Sequence, residues 1–119
     1  MLAVGPNTRI FLASGATDMR KSFDGLFALV KERLALDPLS GHLYVFCNRG
    51  RNRIKVLYWD GSGLWVCAKR LERGRFAWPQ EPGPVPLRLN RAQWTLLIEG
   101  IDLRDTRAKT WHRIEPLGA

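Results

Sequence analysis

Between His42 and Leu71 three runs rich in apolar, β-branched and aromatic residues follow one another with almost no chain between them. They are His42–Asn48, Arg53–Asp60 and Leu64–Leu71, separated only by Arg49-Gly50-Arg51-Asn52 and Gly61-Ser62-Gly63. Links this short cannot carry a crossover, so the runs must pair as antiparallel neighbours. A further run, Arg75–Trp78, follows Glu72-Arg73-Gly74 and extends the meander. If Asn48 pairs with Arg53 and Asp60 with Gly63, the alternation of side chains sorts the residues. One face collects Leu43, Val45, Cys47, Ile54, Val56, Tyr58, Trp65 and Cys67, a core face on which the first helix packs. The other collects Tyr44, Phe46, Arg53, Lys55, Leu57, Trp59, Val66 and Arg70, mixing aromatics with cations.

The flanks supply the helices. Arg9–Ala13 reads as a short strand, and Thr17 or Asp18 as the N-cap of the first helix. Phe23, Leu26, Phe27, Val30 and Leu34 form one apolar stripe, with Gly25 marking a close approach within it. Asp37-Pro38 ends that helix, because the residue before proline is pushed out of the α region. Pro79, Pro82, Pro84 and Pro86 make a semi-rigid connector. Asn90 then caps a second helix, with Gln93 in the capping-box position, a stripe of Trp94, Leu97, Ile98 and Ile101, and Gly100 as its C-cap. The sequence thus predicts an α+β fold: an antiparallel meander of four to five strands packed with two helices. It forms a single domain over residues 1–102, followed by a loosely held basic tail over 103–119.

A chain of 119 residues, 45% hydrophobic and 25% charged, has the composition of an ordinary globular domain. No apolar run reaches the ~18 residues of a membrane span, and Met1 to Arg20 lack the pattern of a secretory signal. Cys47 and Cys67 lie on strands flanking Arg53–Asp60, too far apart for a disulfide, which suits a reducing cytoplasm.

Charge carries the first functional hint. Nineteen Lys and Arg against 11 Asp and Glu leave +8. Most of this excess sits in one stretch, where Arg49, Arg51, Arg53, Lys55, Lys69, Arg70, Arg73 and Arg75 are opposed only by Asp60 and Glu72. A concentrated basic field attracts polyanions, chiefly nucleic acid, whereas a surface that only keeps a chain soluble has no need to concentrate it. On the mixed face, cations would hold phosphates while Tyr44, Phe46 or Trp59 stack on unpaired bases. Against this stands the plainer reading that these rings pack under the second helix as another core layer. Arg20 and Lys21, in the opening turn of the first helix, are a second phosphate candidate; a solvated helix start explains them equally well.

Enzymatic chemistry finds little support. His42 and His112 are the two histidines, and Asp60-Gly61-Ser62-Gly63 lacks the glycine spacing of a nucleophile elbow and reads as a hairpin turn. Cys47, Cys67, His42 and His112 show no zinc-like pairing. The acids Asp18, Asp24, Asp37, Asp60, Glu72 and Asp102 are scattered, which argues against metal-dependent strand cleavage. No catalytic residue, metal or cofactor is assigned.

One string is more specific. Thr17-Asp18-Met19-Arg20-Lys21-Ser22-Phe23-Asp24-Gly25-Leu26 resembles the signature of the TnpB accessory proteins of the insertion-sequence-66 family. The resemblance continues through Ser40–Phe46, Lys55–Gly61, Leu71–Pro79 and Leu96–Asp102, so it spans Gly5 to Asp102 in order. It implies a small protein encoded beside a separate, larger transposase and assisting transposition; it carries over no catalytic residue. The expectation is therefore a non-catalytic accessory protein that binds DNA, or a transposase–DNA complex, through a basic β-hairpin surface. The alternative is a protein-interaction module that stabilises the transposase without touching DNA. Oligomeric state is left open by the residues.

Overall fold

The apolar runs at the middle of the chain form the centre of a five-stranded sheet in a computed structural model that describes residues 4–79 and 86–100. The elements are β1 (Ile10–Leu12), α1 (Phe23–Ala28), β2 (Leu43–Cys47), β3 (Arg53–Trp59), β4 (Leu64–Arg70), β5 (Leu87–Leu89) and α2 (Arg91–Glu99), in the sheet order β4-β3-β2-β1-β5. The fold is α+β. The meander β2–β3–β4 has the expected register: Asn48 N–H donates to Arg53 O and Asp60 N–H to Gly63 O, both at 3.0 Å. Val45 stands opposite Val56, which stands opposite Cys67.

Two strands differ from the expectation. β1 pairs parallel to β2, with Ile10 opposite Leu43, so the sheet is mixed rather than a pure meander. Arg75–Trp78 does not extend the sheet beyond β4. Its backbone is engaged elsewhere: Phe76 N–H donates to Arg51 O (2.7 Å), and Pro79 O accepts from Gly15 N–H (3.0 Å). The segment thus crosses the end of the sheet toward β1. It drops Phe76 and Trp78 into the core, where Trp78 Nε1 donates to Ala13 O at 3.1 Å. The fifth strand is instead β5, three residues between Pro86 and Asn90, antiparallel to β1.

Both faces of the sheet are covered, and the helices lie on the opposite faces from those expected. Leu43, Val45, Cys47, Ile54 and Val56 join Ile10, Leu12, Phe76, Trp78 and Leu89 beneath Trp94 and Leu97 of α2. Tyr44, Phe46 and Leu57 join Phe11 beneath Leu26 and Val30, on the α1 side. The physical reason is the parallel β1–α1–β2 crossover: chirality fixes the side its helix must take, whatever the face composition. Every residue of β2 is buried, so composition does not discriminate.

α1 also begins later than expected. Asp18 closes a turn of its own, accepting from Arg20 N–H (2.9 Å) on Oδ1 while its carbonyl accepts from Lys21 N–H (3.1 Å). The N-cap is Ser22. Past Ala28 the helix widens into a π-type turn, Leu29–Arg33, in which Leu34 N–H reaches back to Leu29 O (3.0 Å). Gly25 marks the close approach expected of it, since a Cβ there would meet Lys21 Cβ and Cγ at 3.1 Å. In α2 the capping box forms as expected: Asn90 Oδ1 accepts from Gln93 N–H (2.8 Å) and Gln93 Oε1 from Asn90 N–H (2.9 Å). Ile101 and the tail expected over 103–119 lie outside the described residues.

Candidate nucleic-acid interface

Three loops and the end of α2 meet at one end of the sheet, and a handful of hydrogen bonds bring them there. The 48–52 loop between β2 and β3 is built by Asn48, whose Oδ1 accepts from Asn52 N–H and Arg53 N–H at 3.0 Å while its Nδ2 donates to Asn52 Oδ1 (2.8 Å). Arg51 sits at φ 59°, the left-handed turn residue of this loop. The stretch after β4 is fastened to that loop twice, by Leu71 N–H to Asn52 O (2.8 Å) and Phe76 N–H to Arg51 O. The 14–22 loop joins through Thr17 N–H to Cys47 O (2.7 Å). The end of α2 arrives through Lys69, whose Nζ donates to Ile98 O at 2.6 Å.

This convergence gathers the cations named from the sequence, but in different states. Arg49, Arg53, Arg70, Arg73 and Arg75 are exposed, and Arg51 is half-buried. Arg53 and Arg70 stand directly opposite each other across β3–β4, with side chains on the same face. Like charges so placed destabilise a sheet unless something answers them. Arg70 has a partial answer in Glu72 at 3.0 Å, an exposed pair of small worth. Lys55 and Lys69 are engaged with the protein itself. Lys55 Nζ donates to the carbonyls of Met19 and Lys21, both at 2.8 Å, and pins the 19–21 segment to the sheet. An open groove of about 520 Å³ is lined by Arg53, Lys55, Lys69, Arg70 and Glu72, together with Met19.

Arg20 and Lys21 are not in the first turn of α1; they precede it. The Arg20 guanidinium clasps the Asp18 carboxylate at 2.7 Å, which holds that carboxyl down at about 2. The aromatic half of the expected face is not available. Tyr44 and Phe46 are fully buried beneath α1, and burial pushes the Tyr44 hydroxyl pKa up, while the hydroxyl donates to Asp37 O (2.7 Å). The plainer reading of these two rings holds, with α1 in place of the second helix. Trp59 is half-buried and pairs with Leu64 at the far end of the sheet.

Phe23 is the residue sequence reasoning misplaced. It opens the apolar stripe, yet it is 46% exposed, at the start of α1 and two residues after Lys21. Periodicity alone gives no sign of this, because it puts Phe23 on the same stripe as the buried Leu26 and Val30. Among the described residues no three His, Cys, Asp or Glu side chains come together as a metal site, and no helix is long and apolar enough to cross a membrane.

The comparisons with known proteins agree with the string at Thr17–Leu26. Residues 8–108 match the family described as IS66 Orf2 like protein. Protein y4hO of Sinorhizobium fredii is 43% identical over 111 residues, covering 93% of this chain and 95% of its own length. Protein y4jC of the same organism is 34% identical over 108 residues, covering 89% of this chain and 92% of its own length. No solved structure matches. The chain belongs to the IS66 Orf2-like family and is an accessory protein associated with an insertion sequence.

Proposed function

We propose that the protein binds DNA, by itself or in complex with the element's transposase, through the basic end of its sheet. In this reading it performs no covalent chemistry and acts in the cytoplasm. The observation that carries the reading is the Arg53–Arg70 pair, two like charges held face to face at the point where the other arginine loops converge. A phosphate backbone answers such a pair, and phosphate contacts position a protein without reading sequence.

Six arginines, Arg49, Arg51, Arg53, Arg70, Arg73 and Arg75, then meet phosphates, while Lys55 and Lys69 hold the loops in place. Log K for duplex DNA should fall with log salt at a slope of about −5. Charge reversal of Arg49, Arg51, Arg73 and Arg75 together should cut binding by about two orders of magnitude or more and leave the fold intact, since loop positions need no core space. A slope near zero, or full binding by the folded quadruple variant, defeats the reading.

A second reading, docking on the transposase without DNA contact, is favoured by β4. Among the described residues it forms one edge of the sheet, and its Trp65 is 55% exposed. An unpaired edge is a template on which another chain can add a strand. The quadruple arginine variant assayed with transposase present separates the two, because this reading leaves DNA retention by the complex unchanged.

A further inference from the structure

Resting on the DNA reading above, we propose that the basic end takes DNA with unpaired bases, and that Phe23 is the side chain on which one base stacks. Leu26 and Val30, on the same helix stripe, are fully buried, whereas Phe23 is 46% exposed. Its place is fixed. Lys55 Nζ holds the carbonyls of Met19 and Lys21, and the Lys21 stem lies where a Cβ on Gly25 would touch it at 3.1 Å. The segment leading into Phe23 is therefore anchored to the strand whose first residue is Arg53. An exposed apolar ring two residues past Lys21, on a segment whose Met19 lines the groove with Arg53 and Arg70, offers a flat face bordering a phosphate-binding field, the pairing used for single strands.

The other rings do not offer this. Tyr44 and Phe46 are buried. Trp65 is more exposed than Phe23, but its Nε1 donates to the Asp60 carboxylate at 2.8 Å. Trp65 also stands opposite Tyr58, near the Trp59–Leu64 end of the β3–β4 pair and away from the Arg53–Arg70 end. In a duplex the base faces are stacked on each other, so a ring at Phe23 gains a partner only where pairing is open.

The test uses the full chain with a single-stranded oligothymidylate and a duplex of equal length, at one low salt concentration, by fluorescence anisotropy. The parent protein should prefer the single strand. Phe23→Leu keeps an apolar side chain and the fold, checked by its unfolding midpoint, and should lose about tenfold or more in single-strand affinity while duplex affinity stays within about twofold. Phe23→Tyr, which retains the ring, should restore binding. Equal affinities of parent and Phe23→Leu for the single strand overturn the stacking inference and leave duplex binding standing. Failure of the parent to bind either DNA, alone and with transposase present, overturns the DNA reading itself.

Discussion

His42 shows how a single side chain fastens the strand order of this protein. Its Nδ1 accepts from Arg9 N–H at 3.0 Å, just before the parallel pairing of β1 with β2 begins. Accepting requires the neutral ring. Burial, and then the Arg9 charge, lower its pKa from 6.5 in the folded protein. The unfolded chain therefore takes up the proton more readily, and the stability that depends on His42 is complete above about pH 6.5 and is lost as pH falls. His42→Asn keeps an acceptor that does not titrate. Urea midpoints at pH 7 and pH 5 should differ less in this variant than in the parent; an equal difference removes His42 as the cause. At this scale the sequence was legible where partners are close in the chain or a face is fixed by alternation: the Asn90–Gln93 box formed as read, and Cys47 is buried on the face assigned to it, its thiol pushed up to about 12, whereas Cys67 is only partly buried. It was not legible where the partner is distant in the chain, as for Lys55 and the carbonyls of Met19 and Lys21.

Among the elements, α2 is secured at both ends, by its capping box and by Gly100. That glycine has φ 78°, and a Cβ on it would stand 2.6 Å from Leu71 Cδ1. Gly100→Ala combines left-handed strain with a steric conflict at the point where α2 meets the end of β4. It should lower stability by about 1–3 kcal/mol in denaturant titrations. An unchanged midpoint shows that this end of α2 is not held against Leu71. The elements legible in the sequence were those with a strong local period, β2 to β4 and the two helical stripes. β5 was not, because three residues between Pro86 and Asn90 carry too little pattern to stand out. The exchange of helix faces was hidden for a different reason: β2 is apolar on both sides, and only the parallel partner β1 decides which side α1 takes.

For the whole molecule, the candidate site was legible as a list of surface arginines but not as a place. Its convergence depends on Phe76 N–H finding Arg51 O and Thr17 N–H finding Cys47 O, bonds between segments that no local pattern relates. The position of β1 has one more consequence. It lies between β2 and β5, so Ile10 meets Leu43 on one side and Leu89 on the other. β1 precedes both partners on the ribosome, yet neither neighbour exists until much later in synthesis. The hairpins β2–β3 and β3–β4 close short loops and have no such wait. Loop-closure entropy therefore favours a nucleus in the meander, with the insertion of β1 and the closing of β5 on it coming after the barrier. In stopped-flow experiments Val56→Ala should slow refolding, whereas Leu89→Ala should speed unfolding and leave refolding within about twofold. The reverse pattern would mean that the sheet is organised around its earliest-made strand, with the hairpins added to it.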